Sequence, residues 1–412
     1  MAFMAKHSSD LEVRRKWRVL LVLALAELLA MAVWFSASAV VPVLTADWGL
    51  TAGGQAWLTM SVQIGFVVGA FGSAVLSLAD RIPSRHFFAA SSLLAAFVTL
   101  LIPLLADGLG VALVLRFLTG VFLAGVYPVG MKMMATWTKE DRGLGIGLLV
   151  GALTVGSASP HLLNAFGGVT VWQPVLILAG VLAAVAGVLA WFFVREGPYQ
   201  AGAPVFEWGQ IGGILRNREV MLANLGYLGH MWELYAMWAW MPVFVLASFA
   251  ETGISARWAS VVAFLVMGVG GVGSLLAGRL ADKWGRTAVT IVSMLVSGSA
   301  SLVVGFFFGG TSFWLVLVLL VWGFTIVADS AQFSAAVSEL ADGAYVGTAL
   351  TLQTSLGFLL TLLTIRMIPP LVTAVSWRYA FMPLAIGPLA GIWAMWRLRQ
   401  SDGVKKLAGG RG

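Results

Sequence analysis

The chain has 412 residues, 60% of them hydrophobic and only 10% charged, with a formal net charge of +7. A water-soluble domain carries about 25% charged residues, so this composition excludes a soluble protein and demands a lipid environment. Cysteine is absent, which excludes disulfides and thiolate metal sites. The basic residues fall in short loops and tails, so the charge reads as a positive-inside bias and not as a nucleic-acid-binding surface.

A membrane-crossing helix needs about 20 apolar residues, and long unalternating runs favour helices over a β-barrel. Twelve such runs are predicted. Spans 1 to 6 cover 17–43, 55–79, 86–106, 109–137, 143–168 and 172–194. Spans 7 to 12 cover 219–249, 258–281, 288–309, 313–340, 346–371 and 377–398. The run after Arg18 is too long for a cleavable signal and lacks a small-residue cleavage site. Residues 195–218 hold Pro198, Gly202, Pro204 and Gly209. They are expected to link a first half, 1–194, to a second, 219–412, with a short amphipathic piece at 208–215. With twelve spans the cationic loops share one face, leaving only Arg257 and Arg378 opposite. That asymmetry predicts cytoplasmic termini and a multi-pass protein of a bacterial inner membrane.

One turn occurs twice. GRLADKWGR runs from Gly278 to Arg286, and LSLADRIPSR from Leu76 to Arg85, with Asp80 and Asp282 standing 202 residues apart. A two-fold repeat of spans is the mark of a transporter built from two halves. An acid at a helix end beside a basic loop can form a charge-assisted latch across the half interface.

Ionisable residues inside spans are candidates for function, because burying them is costly. Glu27 lies about ten residues into span 1, roughly 15 Å deep at 1.5 Å per residue. Arg116 lies in span 4, His161 in span 5 and Arg366 in span 11, and Lys132 is expected to reach the inner surface. In span 7, His230 and Glu233 share a helix face at i and i+3. Asp329 lies in span 10, where it could bond Gln353 of span 11. Trp34, Tyr127 and Tyr235 are deep aromatics suited to stacking on a substrate.

On the paired turns the chain resembles the major facilitator superfamily, over essentially its whole length. The family's pattern, Gly-x-Leu-Ala-Asp-Arg/Lys-x-Gly-Arg, is met at Gly278, Leu280, Ala281, Asp282, Lys283, Gly285 and Arg286. The first copy keeps Leu78, Ala79, Asp80, Arg81 and Arg85, with Leu76 and Pro83 in place of the two glycines. The family's Arg-x-x-x-Gly of span 4 is met at Arg116 and Gly120. The Gly-Pro-x-x-Gly-Gly run of drug/proton antiporters is not: Ser159 precedes Pro160 and no glycine pair follows. The resemblance implies an all-α polytopic membrane protein with twelve transmembrane helices in two pseudo-symmetric six-helix halves. It also implies that spans 1, 4, 7 and 10 line a central cavity. Glu27, Arg116, His230, Glu233 and Asp329 all fall on those four spans.

The reading that follows is a monomeric secondary active transporter. It moves a small polar metabolite, with Arg116 suggesting an anionic one, by alternating access coupled to protons. Glu233 with His230 is the first candidate for the coupling site and Glu27 the next. A proton-coupled exporter of toxic compounds and a non-transporting membrane sensor or scaffold are the rivals. No nucleotide-binding motif, metal cluster or nucleophile–base constellation appears, so neither an enzyme nor a cofactor is expected.

Overall fold

A computed structural model of the chain describes residues 2–138, 142–167, 170–199, 208–342 and 346–412. All regular elements among them are helical. Ten helices are long and apolar enough to cross a membrane, and they correspond to spans 2 to 11: Ala52–Val75, Ser84–Leu105, Leu109–Trp137, Leu144–Phe166, Gln173–Phe193, Arg218–Glu251, Ala256–Trp284, Arg286–Phe307, Ser312–Leu340 and Val346–Ala380.

Spans 1 and 12 are not among them: the helix of span 1, Ala2–Met31, is long enough but apolar only after Arg18, and that of span 12, Ile386–Arg399, has 14 residues. Span 1 runs helically over Ala2–Met31, unwinds, and resumes as a 3-10 turn at Ser38–Val40 and a helix at Val41–Trp48. Pro42 opens that second helix, where its missing N–H costs nothing. Between spans 11 and 12 the chain turns at Ser376, whose φ of 64° is left-handed. Span 12 then continues through a 3-10 turn at Met382–Ala385 and the helix Ile386–Arg399. Spans 4 and 10 also break, after Leu123 and after Ala328, at related places in the two halves. A helix Ile211–Arg216 stands where the short linker piece was expected.

Within the first half span 3 packs on span 6, span 2 on span 4, and span 1 on spans 5 and 6. In the second half span 9 packs on span 12, span 8 on span 10, and span 7 on spans 11 and 12. The halves meet along two seams, span 5 against span 8 and span 2 against span 11. Small residues make these approaches possible, as lipid-embedded packing requires. A Cβ on Gly271 of span 8 would stand 3.0 Å from the carbonyl oxygen of Gly151 in span 5. Large apolar side chains such as Phe97, Leu104, Phe166 and Phe192 point outward, which forms a surface suited to lipid.

The same close approach recurs in both halves. A Cβ on Gly120 (span 4) would lie 2.0 Å from the Val62 carbonyl oxygen of span 2, and one on Gly323 (span 10) 1.9 Å from that of Val266 in span 8. Backbone cannot yield to such a contact, so Gly120→Val must push two spans apart. We expect it to destabilise the protein by about 1–3 kcal/mol or more, as overpacking does. Thermal unfolding in detergent would read the loss, and an unchanged midpoint would contradict this packing.

Candidate functional site

The second repeated turn packs against the chain's last residues, Gly285 lying beside Arg411 and Gly412, and the first bonds Glu196 at the end of the first half; the end of the bundle that carries these turns is called here the terminal face. Between the halves is a cavity of about 570 Å³ including its open mouth. It is lined by Tyr127 of span 4, Thr154 of span 5, Tyr227, Tyr235 and Trp238 of span 7, Ser330 and Ser334 of span 10, and Thr354 and Phe358 of span 11, with aliphatic residues between them. Its walls offer rings and hydroxyls, with no charged side chain among the described residues.

An aromatic plug closes the cavity toward the far face. Trp34 (span 1) and Phe66 (span 2) meet Phe358 (span 11) at ring-centre distances of 5.5 and 4.8 Å. Tyr235 (span 7) meets Phe358 at 5.0 Å, and Phe35 (span 1) meets Trp238 at 5.7 Å. Trp34 thus belongs to the plug, whereas Tyr127 and Tyr235 line the cavity. Beyond the plug the halves are tied by Thr361 donating to Gln63 Oε1 at 2.9 Å and by Asn164 Nδ2 donating to Ser260 at 3.0 Å. Arg366 abuts Gly53 at the far end of the span 2–span 11 seam. The structure is therefore closed at its far face. Three N–H groups at the plug, Trp34 Nε1, Trp238 Nε1 and Gln63 Nε2, are buried without an acceptor among the described residues.

The deep ionisable residues have three different environments. Glu27 is fully buried, and neither carboxylate oxygen has a hydrogen-bond partner among the described residues. A Cβ on Gly130 would stand 2.8 Å from its Oε2, so the glycine leaves room for the acid. Tyr127, which lines the cavity, is close enough to Glu27 to interact with it electrostatically, while Glu27 itself is not part of the lining.

Arg116 occupies the break in span 1. Its guanidinium donates to the Val33 carbonyl at 2.6 Å, to the Trp34 carbonyl, and more weakly to Ser36 Oγ and the Leu58 carbonyl. Unwinding a helix orphans carbonyls, and the arginine satisfies them. It neither reaches a membrane surface nor faces the cavity, being fully buried, and so the expected cationic cavity wall is absent in this conformation.

His230 and Glu233 do share a face of span 7, but each takes a partner from inside the second half. His230 Nδ1 stands 2.9 Å from Asp329 Oδ1. Glu233 accepts from Trp322 Nε1 at 2.7 Å and from Ser297 Oγ at 2.8 Å. Gln353 bonds Asn224 and Ser334 in place of Asp329. Trp322, Ser297, Gln63 and Tyr227 were not singled out in the sequence, where nothing separates them from ordinary apolar or small packing positions.

At the second repeated turn the ion pair is made by Arg286, not by Asp282. Arg286 holds Glu339 of span 10 through two bonds of 2.8 and 2.6 Å and also donates to Gln332 at 2.8 Å. Asp282 is exposed, and of its oxygens the backbone one accepts from Arg411. Gly285 takes φ 90° with the chain's last residues against it, and Lys283 is exposed. Gly278 is buried within span 8. At the first turn Lys132 donates to the Ala79 carbonyl at 2.5 Å, and Glu196 accepts from the Ser84 backbone at 2.9 Å. Arg81 is exposed and Arg85 partly so, while the Asp80 side chain lies outside the described residues. Arg286→Gln and Glu339→Gln are expected to be non-additive, with a coupling of about 1–3 kcal/mol in thermal unfolding. Additive losses would show that the two side chains do not act as a pair.

A broken-helix bundle with a two-fold repeat around a midplane cavity defines a polytopic helical membrane protein. The chain belongs to the Major Facilitator Superfamily, whose family model matches residues 23–365. It is 29% identical over 194 residues to the 4-hydroxybenzoate transporter PcaK of Pseudomonas aeruginosa, a match covering 44% of this chain and 40% of that protein. The PcaK of Pseudomonas putida is 28% identical over 182 residues, covering 41% and 38%. The matched stretch thus spans about two fifths of these relatives. Among solved structures, the proton:xylose symporter XylE bound to 6-bromo-6-deoxy-D-glucose superposes with a TM-score of 0.72 at 16% identity, covering 94% of this chain and 96% of that one. The human organic anion transporter MFSD10 (TETRAN) superposes at 0.69 and 15% identity, covering 92% and 99%. At such identities these two likenesses speak for the fold alone.

Proposed function

We propose that the protein is a secondary active transporter that moves a small, hydroxylated or ring-bearing polar compound by alternating access, with protons as the coupling ion. The observation that carries this reading is the cavity between the halves, sealed on one side by a plug contributed by spans 1, 2, 7 and 11. Parting the two seams beyond the plug would open the same cavity to the other face. Rings suit a cargo with an apolar face, the hydroxyls suit its polar groups, and the unfilled N–H donors at the plug suit its acceptor oxygens. An anionic cargo fits if a proton travels with it, because the cavity in this conformation holds no cation to balance a free carboxylate. The relatives named for 4-hydroxybenzoate support that choice. With the loop charges read as positive-inside, the terminal face is cytoplasmic and the present conformation is closed to the outside.

Glu27 is the coupling acid in this proposal. A carboxylate buried without a partner is costly when ionised, so its protonation follows access to water, and its neighbour Tyr127 lines the cavity. The test is flux into proteoliposomes. 4-Hydroxybenzoate and D-xylose are the probes, with an imposed proton gradient. Accumulation of one of them that a protonophore collapses is expected. Accumulation of a probe unaffected by the protonophore would remove the proton-coupling part. No uptake of either probe, together with no thermal stabilisation by a wider panel of hydroxylated acids and sugars, would overturn the reading.

A further inference from the structure

A second pocket lies in the far third of the molecule, beyond the aromatic plug and separate from the central cavity. It measures about 470 Å³ including its open mouth. Its walls come from both halves: Val43 of span 1, His161 and Asn164 of span 5, Pro242 of span 7, and Ala256 and Ser260 of span 8. The walls are largely apolar, and their polar side chains are His161, Asn164, Ser260 and Ser38, the last bonded to Thr59. His161 and Asn164 are buried, at 2% and 6% exposure, and each keeps one polar atom with no partner among the described residues: His161 Nε2 and Asn164 Oδ1. The other end of the Asn164 amide is committed, since Nδ2 donates to Ser260 across the seam between halves.

Two unmet polar atoms one turn apart on span 5, in a pocket whose other polar side chains, Ser38 and Ser260, already bond Thr59 and Asn164, specify their complement. Asn164 Oδ1 accepts only. A neutral imidazole nitrogen accepts in one tautomer and donates in the other. A hydroxyl donates and accepts at once, and an apolar ring or short chain beside it matches the remaining walls. A charged ligand would meet no counter-charge there.

We infer that this pocket is a second binding site for a small neutral hydroxyl compound of phenol type, and that its occupant holds the far face closed. The second clause rests on the alternating-access reading and follows from where the walls stand. Opening the far face draws span 5 from span 8, breaks the Asn164–Ser260 bond and takes the pocket apart. A ligand that binds one conformation only shifts the population toward it. Such an occupant would therefore inhibit without competing for the central cavity.

The site is tested with phenol, and with toluene as the same ring lacking the hydroxyl. Because the chain has no cysteine, Val43→Cys places a unique thiol in the pocket wall. Phenol is expected to slow its alkylation by N-ethylmaleimide at least fivefold in the purified full chain, and toluene much less. In the same background His161→Leu, or Asn164→Val if the first variant does not fold, should abolish the protection. Equal protection by phenol and toluene would show that the polar pair reads no hydroxyl. No protection by either would leave the pocket to water and overturn the site. Protection that survives both variants would overturn the assignment to His161 and Asn164. Labelling needs no transport, so protection that persists in a protein showing no flux would sink the transport reading and keep the site. Phenol that protects the thiol yet leaves uptake of a transported probe unchanged would refute the closure of the far face.

Discussion

Glu27→Gln is expected to abolish accumulation against a gradient, bringing the steady-state ratio of internal to external probe close to one, while counterflow exchange continues. Glutamine keeps the size and polarity of the protonated acid but can never lose the proton. The variant should therefore cycle when loaded on both sides and fail to harvest a proton gradient. The stability cost should be small, because the carboxylate has no hydrogen bond to lose among the described residues. Glu233→Gln provides the contrast. Its two partners, Trp322 Nε1 and Ser297 Oγ, are a donor and a hydroxyl, and an amide satisfies both. Coupled transport should survive there, while Glu233→Leu should lose about 1–3 kcal/mol by stranding the Trp322 indole N–H. Accumulation that persists in Glu27→Gln and vanishes in Glu233→Gln would return the coupling site to span 7.

The contrast between these two acids shows what a sequence can carry. Depth in a span is a one-dimensional property, and both glutamates were found by it. Whether a buried acid has partners depends on side chains from other spans. Ser297 lies 64 residues from Glu233 and Trp322 lies 89, and neither forms a motif. The fold was legible because lipid forces each crossing segment to declare itself by length and composition, and because the repeated turn betrays the two halves. The four broken spans were legible as apolar runs but not as broken helices, since a break depends on what satisfies the freed backbone. The turn motif pointed to the loop, but not to the acid that holds Arg286 in this conformation. Glu339, which holds Arg286, lies on span 10, 53 residues away, and only packing brings it there.

Arg116 is the largest such revision, and it makes a prediction of its own. An arginine in an apolar span beside a cavity suggests recognition of an anion, but here the guanidinium is spent on the broken end of span 1. Four acceptors surround it: three backbone carbonyls and the Ser36 hydroxyl. A helix C-terminus carries about half a negative charge, which balances the cation where the described residues place no carboxylate. Arg116→Leu would orphan the Trp34 carbonyl and leave that of Val33 only the Ser36 hydroxyl, and hydrogen bonds to a charged group contribute about 1.5–3 kcal/mol each. We expect a loss of about 3 kcal/mol or more, seen as poor yield and a much lower unfolding temperature in detergent. Arg116→Lys keeps the charge but not the planar fork that reaches several oxygens at once, so it should fall between the two. For whatever Arg116→Lys protein folds, the KM for a transported probe should stay near that of the parent. A KM raised tenfold or more at unchanged stability would be the signature of direct cargo contact, and would mean that Arg116 leaves the span 1 break and turns to the cavity when the far face opens.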